Sequence, residues 1–237
     1  MDTQQPVDPQ LAALQGSVVV VRVGKVAPRS WSGRSFDSAA VKTPQADAVA
    51  IGTLGLAGDE QAEKIHGGPE KAVLMYAQHH YPAWQSEGYD LPEGALFENI
   101  TMTGLDETLI HLGDTVRVGT ALLQATQPRR PCYKIAARWG IKNLPRLVQG
   151  KGRTGIYFRV LEPGEVRAGD RIQVLERLEN SVPAAEVNRI MNVDRDDVAG
   201  IQALLASPEL PPRWRQQLER RLEGHFESDA ARLGEDD

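Results

Sequence analysis

Gln127-Pro128-Arg129-Arg130-Pro131-Cys132-Tyr133-Lys134 holds the only cysteine among 237 residues and opens the most one-sided run of charge in the chain. Between Gln124 and Arg153 stand eight basic residues (Arg129, Arg130, Lys134, Arg138, Lys142, Arg146, Lys151 and Arg153) and no Asp or Glu. The whole chain carries a net charge of −5, so everything outside this window is strongly acidic. A basic island in an acidic protein points to a local anionic ligand rather than to a general affinity for polyanions. Neighbouring cations, or a helix N-terminus, make a thiol a stronger acid than free cysteine. Pro131 suits the start of a helix, and residues 133–139 read as a short one with Lys134 and Arg138 on one face, which predicts Cys132 in its first turn. A lone cysteine is most often a small buried hydrophobe. The three cations beside this one tip the reading to a functional thiolate. One cysteine makes neither an internal disulfide nor a Cys-rich zinc site, which leaves a nucleophile, a sulfur carrier or a thiolate metal ligand.

Outward from this stretch, short strands dominate. The β-branched run at residues 16–26 predicts a strand, as do residues 48–54, 71–76, 98–102 and 154–160. Gly113-Asp114 and Gly119-Thr120 bracket a hairpin over residues 115–126, and Gly169-Asp170 introduces a further strand at 171–174 in the same manner. Residues 27–47, rich in Pro, Ser and Gly, read as loop, and residues 78–87 as a short helix interrupted by Pro82. Such a pattern predicts a mainly β fold with added α: a closed or half-closed barrel over residues 16–180, with short helices set into its loops. From Pro183 the period changes to helical. Residues 184–192, a helix N-capped by Asp194 and running to about 206, and a third starting at Pro211-Pro212 form a three-helix segment over 183–225. It is too small to be very stable alone, so it is expected to dock on the barrel or on a partner. Residues 1–15 read as a loose arm and residues 226–237 as an acidic, frayed tail. The N-terminus is polar and lacks basic residues, and the first apolar run is only strand-length. That speaks against a signal peptide or a membrane span and for a cytoplasmic location.

Other constellations are weaker on their own. His66-Gly67-Gly68 is either an anion-binding peptide nest or a plain turn before a strand. Glu98-Asn99 puts a carboxylate and an amide at a strand start. Asp59, Glu60 and Glu63 form an acid/base or oxygen-ligand set, or simply solvated loop charge, and match no calcium loop. His79 and His80 are adjacent, so on a helix they point about 100° apart and do not chelate one ion together. No Walker loop, dinucleotide fingerprint, HExxH or nucleophile elbow is present.

Taken together, Gly58-Asp59, His66-Gly67-Gly68-Pro69 with Lys71-Ala72-Val73, Glu98-Asn99 with Thr101, Gly113-Asp114, and Gln127-Pro128-Arg129 with Pro131-Cys132 and Lys134 resemble the MOSC domain in order and spacing. The helical tail, including Glu186-Val187-Asn188-Arg189-Ile190, resembles that of the bacterial YiiM-type proteins. The resemblance covers residues 16–225 and implies a β-barrel with a cleft for the molybdenum cofactor, a phosphorylated pterin dithiolene. It makes Cys132 the family's characteristic cysteine, a ligand of molybdenum in reductases or a handler of sulfur in the sulfurase context. It further implies reduction of N-hydroxylated compounds such as hydroxylamino-purines, with a flavoprotein reductase as electron donor. On this reading Arg129, Arg130, Lys134 and Arg153 hold the cofactor with Gly67, Gly68, Lys71 and Asn99. His66 or Glu98 supplies protons, since N–O cleavage needs a general acid. One position departs: where the family reads glycine before Glu-Asn, this chain has Phe97, so either the loop is reshaped or the cofactor sits differently. The rival readings are a sulfur or cofactor carrier using a Cys132 persulfide, and a nucleic-acid-binding barrel. The second is disfavoured by 5% aromatic content and the negative charge. Pyridoxal phosphate belongs to a separate large domain of the sulfurases, for which this chain has no room. The three helices are left to cover the cleft, dock a reductase or form a homodimer.

Overall fold

The valine run at residues 18–21 cannot be satisfied as a helix face and forms the strand that closes a barrel. The computed structural model describes residues 9–63 and 66–235. In chain order its elements are α1 (Pro9–Ala12), β1 (Gln15–Val23), β2 (Ala27–Trp31), β3 (Arg34–Ser38), β4 (Thr43–Pro44), β5 (Val49–Gly52) and β6 (Gly55–Leu56). After a 3-10 turn at Pro69–Lys71 come β7 (Val73–Ala77), α2 (His80–Ser86), β8 (Ile100–Thr103), β9 (Thr115–Val118), β10 (Ala121–Pro128), α3 (Tyr133–Trp139) and α4 (Leu144–Gly150). The chain continues through β11 (Ile156–Glu162), β12 (Gly164–Val166), β13 (Arg171–Glu176), α5 (Ala184–Asn192), α6 (Val198–Ala206), α7 (Pro212–Leu222) and α8 (Ala230–Leu233).

Seven strands run in the order β13-β9-β10-β11-β7-β8-β1, and β1 pairs back to β13 through Gln15↔Gln173 and Gly16↔Ile172, which removes both sheet edges. All neighbours in this ring are antiparallel except β7 and β8. Those two are parallel, and the connection between them carries α2. Alternation along β9 and β13 sends Val116, Val118, Ile172 and Val174 into the barrel. Strand β7 does not alternate. Val73 and Met75 fill the barrel, while Tyr76 packs outward with Tyr81, Trp84, Leu96, Ile135 and Leu144 in a second core under α2, α3 and α4. Covered on both faces, β7 is apolar throughout.

The three-helix segment shares the barrel's own core. Val187, Ile190 and Met191 of α5, Ile201 and Leu204 of α6, and Trp214 and Leu218 of α7 are buried in one cluster with the barrel interior. Helix α6 begins later than the sequence indicates: its N-cap is Asp197, which accepts from the Gly200 N–H, and Asp194 instead pairs with Arg189. Pro82 does not interrupt α2, because it lies in the first turn, where a missing N–H costs nothing. The expected loop at 27–47 contains the β2–β3 hairpin, turned by Ser32 (φ 49°) and Gly33 (φ 78°), and the short strand β4. Ser-Gly supplies the two positive φ values that such a turn needs. Of the expected N-terminal arm, residues 1–8 lie outside the described residues, while Pro9–Ala12 makes one helical turn. The acidic tail is docked rather than frayed: Leu233 is buried, and Glu227, Asp229 and Glu235 each pair with arginines. Among the described residues no helix is long and apolar enough to cross a membrane.

Because the helices and the barrel share one core, Trp214→Ala should lower unfolding free energy by about 3–5 kcal/mol. Denaturant titration should show a single transition for circular dichroism and for tryptophan fluorescence.

Candidate active site

The Cys132 segment leaves the barrel at a β-bulge. Ala125 pairs with Phe158 and Gln127 with Tyr157, so Thr126 is the extra residue. Its hydroxyl donates to the Glu70 carbonyl at 2.6 Å. A bulge bends its strand and re-aims the residues beyond it; β10 stays paired through Pro128 and the Arg129 N–H, and residues 130–132 then lead into α3. Cys132 then stands at the N-cap of α3 in extended conformation (φ −121°, ψ 169°), one residue before the expected first turn, and its side chain makes no capping bond. It lines a cleft of about 740 Å³.

Arg129 lies in the same cleft wall with only 5% of its surface exposed. Its backbone N–H donates to the Gly155 carbonyl at 2.9 Å, and its charge lies close to the Tyr157 phenol. Its Nη1 is buried with no partner. A buried cation with an unused donor costs several kcal/mol unless an anion meets it. Lys71 also lines the cleft, and burial, followed by the nearby charges of Arg213 and Arg130, pulls its amine below the ordinary lysine range.

Lys134, Arg130 and Arg153 are engaged by acids of the chain itself. Lys134 is buried, pairs with the Glu63 carboxylate and lies 4.9 Å over the Phe36 ring. Arg130 donates to Asn192 at 3.0 Å and Asp229 at 2.7 Å, and burial pushes it down to about 10. Arg153 is not at the cleft: it reaches Glu87 at 3.0 and 3.2 Å and stacks over Trp84 at 4.7 Å. The structure thus places Arg153, expected among the cofactor contacts, away from the cleft, where a carboxylate and an indole from α2 and its C-cap hold its side chain.

His66 lines the cleft, with Nδ1 3.2 Å from Glu63. Burial, with Lys134, Arg129 and Lys71 nearby, lowers its pKa against the opposing pull of Glu63. Gly67 and Gly68 do not line the cleft. Gly68 (φ 92°) turns the chain into Pro69–Lys71, and a Cβ on Gly67 would collide with Gln61, so these glycines serve a turn and a close packing contact rather than a nest.

Glu98 departs furthest from its expected role. It is fully buried and absent from the cleft wall. One oxygen accepts from the Tyr81 hydroxyl (2.5 Å), the Gly94 N–H (2.9 Å) and the Thr101 hydroxyl (3.0 Å), and Arg22 lies 3.9 Å away. It is a structural hub sealed from the cleft. Asn99 does line the cleft, but its amide is committed: Oδ1 accepts from Leu74 N–H at 3.1 Å and Nδ2 donates to Asp59 at 2.9 Å. Asp59 in turn accepts from the Gly24 N–H at 2.8 Å and from Lys42. The side chains of Lys42 and Asp59 are 9% and 4% exposed, and both line the cleft. Asp59 is thus not solvated loop charge but half of a buried ion pair, and Lys42, in the segment read as featureless loop, is a site residue that the sequence did not disclose. Burial holds Lys42 below its ordinary range against the pull of Asp59.

Phe97 keeps the glycine-like backbone, with φ 66°. For a residue with a side chain this costs on the order of 1–2 kcal/mol. Its ring lies stacked on Trp31 of the hairpin, centroids 6.2 Å apart, and Trp31 meets Phe36 edge-on at 5.4 Å. The loop is therefore not reshaped at this residue, and an aromatic ring is added at the cleft. The adjacent histidines serve separate carboxylates, as their spacing requires: His80 bonds Glu107 at 2.8 Å in the second core, and exposed His79 lies 3.4 Å from Asp106.

A seven-stranded barrel with a cysteine at a helix N-cap in an arginine- and lysine-lined cleft, extended by three helices, defines a class: residues 62–173 match the MOSC domain and residues 182–225 the YiiM-like 3-alpha helix domain. The chain belongs to the MOSC-domain proteins of the YiiM-like type. It is 36% identical over 201 residues to YflK of Bacillus subtilis (strain 168), a match covering 84% of this chain and 91% of that one. It is 31% identical over 201 residues to a protein named Reductase from Gibberella moniliformis (strain M3125 / FGSC 7600), covering 83% of this chain and 35% of that longer one. The crystal structure of YiiM from Geobacillus stearothermophilus superposes with a TM-score of 0.73 at 33% identity, covering 87% of this chain and 99% of that one.

The lowered pKa of His66 fixes the sign of a pH effect. The unfolded chain protonates this histidine first, so as pH falls below about 6.5 the protein loses stability over the window between the unfolded and folded pKa values. Denaturant midpoints measured across that window should fall with pH in the unaltered protein and fall less in His66→Gln.

Proposed function

We propose that this protein binds the molybdenum cofactor in the Cys132 cleft and reduces N-hydroxylated compounds there. The observation that carries the reading is the buried, unpartnered Nη1 of Arg129 in one cleft with Cys132 and Lys71. These residues fit the group. A phosphorylated pterin brings anionic oxygens to Arg129 and Lys71, and a dithiolene-bound metal accepts a soft thiolate. When bound, the cofactor supplies a two-electron centre able to remove oxygen from nitrogen.

The chain's own residues have defined tasks. Cys132 offers its thiolate to the metal. Arg129, fastened through its backbone to Gly155 and buried in the cleft wall, holds an anionic group there. Converting an N–OH group to N–H with release of water consumes two electrons and two protons. The electrons come from a flavoprotein reductase. With Glu98 sealed away, the buried Lys42–Asp59 pair is the proton source at the cleft wall: Lys42 Nζ donates, and Asp59, oriented by Asn99 and Gly24, holds the amine in place. The relative from Gibberella moniliformis named Reductase supports a redox reading.

Expression in a host that makes the cofactor, followed by elemental analysis, tests the assignment. Near-stoichiometric molybdenum in the unaltered protein and little in Cys132→Ser is the expected result. Full metal content in Cys132→Ser would sink it, and a one-sulfur adduct on Cys132 without molybdenum would establish a sulfur carrier instead. With the cofactor loaded, Lys42→Met should retain metal yet lower kcat for an N-hydroxylated substrate by about 10²-fold or more, the size expected for loss of general-acid assistance.

A further inference from the structure

The YiiM-like match ends at residue 225, but the chain does not stop contributing to the site there. The next ten residues fold back onto the segment that carries Cys132, and they touch it on both sides of the thiol. Asp229 takes the Arg130 guanidinium at 2.7 Å. Arg232 donates to the Pro131 carbonyl at 2.5 Å, to Gln149 at 2.9 Å, and pairs with Asp229 at 2.9 Å. Gly234 (φ 77°) lies so close to Tyr133 that a Cβ there would stand 2.8 Å from the Tyr133 Cβ. Glu235 closes the contact on Arg146 of α4 with two bonds of 2.5 and 2.6 Å. The residues before and after the cysteine, at 130, 131 and 133, are thus each held by the tail.

We propose that residues 229–235 form an ionic clasp that positions Cys132, with Arg232 as its central positioning residue. The inference rests on the reading of Cys132 as the reactive group of the cleft. Two features make the clasp specific to position rather than to bulk packing. Helix α8 is a single turn of four residues, too short to persist undocked, so its place depends on the buried Leu233 together with these charged contacts. The Cys132 side chain makes no capping bond, and the residue is the join between a bulged strand and α3. Freed of Arg232, the Pro131 carbonyl turns to solvent and the N-cap gains conformational freedom. The exposed Arg146–Glu235 pair weakens most as salt screens it, the Debye length falling to about 3 Å at 1 M, while the partly buried pairs of Asp229 are screened less.

Because Cys132 is the only thiol, its alkylation by iodoacetamide reports on this segment alone. The rate is measured on the full chain without cofactor, as a pH profile, and the alkaline plateau, where the thiolate is fully formed, reads access. Arg232→Met should raise that plateau about fivefold, the shift expected for one lost hydrogen bond of ordinary strength, and Arg232→Lys, which keeps a donor, should recover most of it. The unaltered protein in 1 M salt should move in the direction of Arg232→Met. This arm also decides the matter if the Met variant does not fold. A tail that merely adds stability would lower the melting temperature of Arg232→Met and leave the plateau unchanged, and an unchanged plateau in both arms overturns the clasp. The two readings fail separately. Protein from a competent host that lacks molybdenum but shows the alkylation response loses the proposed function and keeps the clasp; molybdenum-bearing protein with an indifferent plateau does the reverse.

Discussion

Eight cations stand within thirty residues without one acid among them, and such a segment folds against a barrel only if its charges are met from elsewhere. Much of the tertiary structure answers that requirement. Glu63 comes from the loop before β7, Glu87 from the end of α2, and Asp229 and Glu235 from beyond the third helix. The partly buried pairs of Lys134, Arg153 and Arg130 offset the desolvation of their cations, and all four fix distant parts of the chain against each other. Arg129 differs. It is buried as deeply as Lys134, and one of its donors is left without a partner. Pairing at Lys134, Arg130, Arg146 and Arg153, set against the open donor of Arg129, separates the charges that build the site from the charge that can serve a ligand.

The barrel supplies the rigidity on which this selection depends. Closure of β1 on β13 leaves no free edge, and the bulge at Thr126 re-aims the end of β10 that leads to Cys132. The floor of the cleft is built by a chain of hydrogen bonds in which Asn99 ties β7 to Asp59, and Asp59 ties Lys42 to Gly24. Below it, Glu98 gathers Tyr81, Gly94, Thr101 and Arg22. Two adjacent polar residues thus face different tasks, one lining the cleft and the other sealed beneath it. Phe97, immediately before them, bears backbone strain and stacks on Trp31. Strain of this kind persists where surrounding structure over-determines a residue, and here the hairpin does so.

Residue by residue, the sequence disclosed what depends on local pattern. Short β-branched and apolar runs located the barrel strands, Gly-Asp turns located the β9–β10 hairpin and β13, and the helical spacing of 133–139 and 184–192 gave α3 and α5 at their observed limits. The order of short motifs disclosed the family, and the lone cysteine among cations disclosed the centre of the site. The sequence also misled where local pattern is silent. Residues 27–47 look like loop because the β2–β3 hairpin is built from Pro, Ser, Gly and charged residues with one aromatic per strand instead of an aliphatic run, and the tail looks frayed because its acids have no local partners.

Which strand closes on which, which acids answer which arginines, and which of two neighbouring carboxyl or amide groups faces the cleft were decided only by the tertiary structure. Propensity and hydrophobic period act over a few residues, and sequence records them directly. Ion pairing between Arg130 and Asp229, or between Lys134 and Glu63, joins groups 99 and 71 positions apart. Charge carries no information about its partner until the backbone brings the two together. For the same reason Lys42, Glu98 and Arg153 could not be sorted by type alone: each is an ordinary charged residue in sequence, and only burial distinguishes the buried amine in the cleft wall, the sealed carboxylate and the arginine held at Glu87.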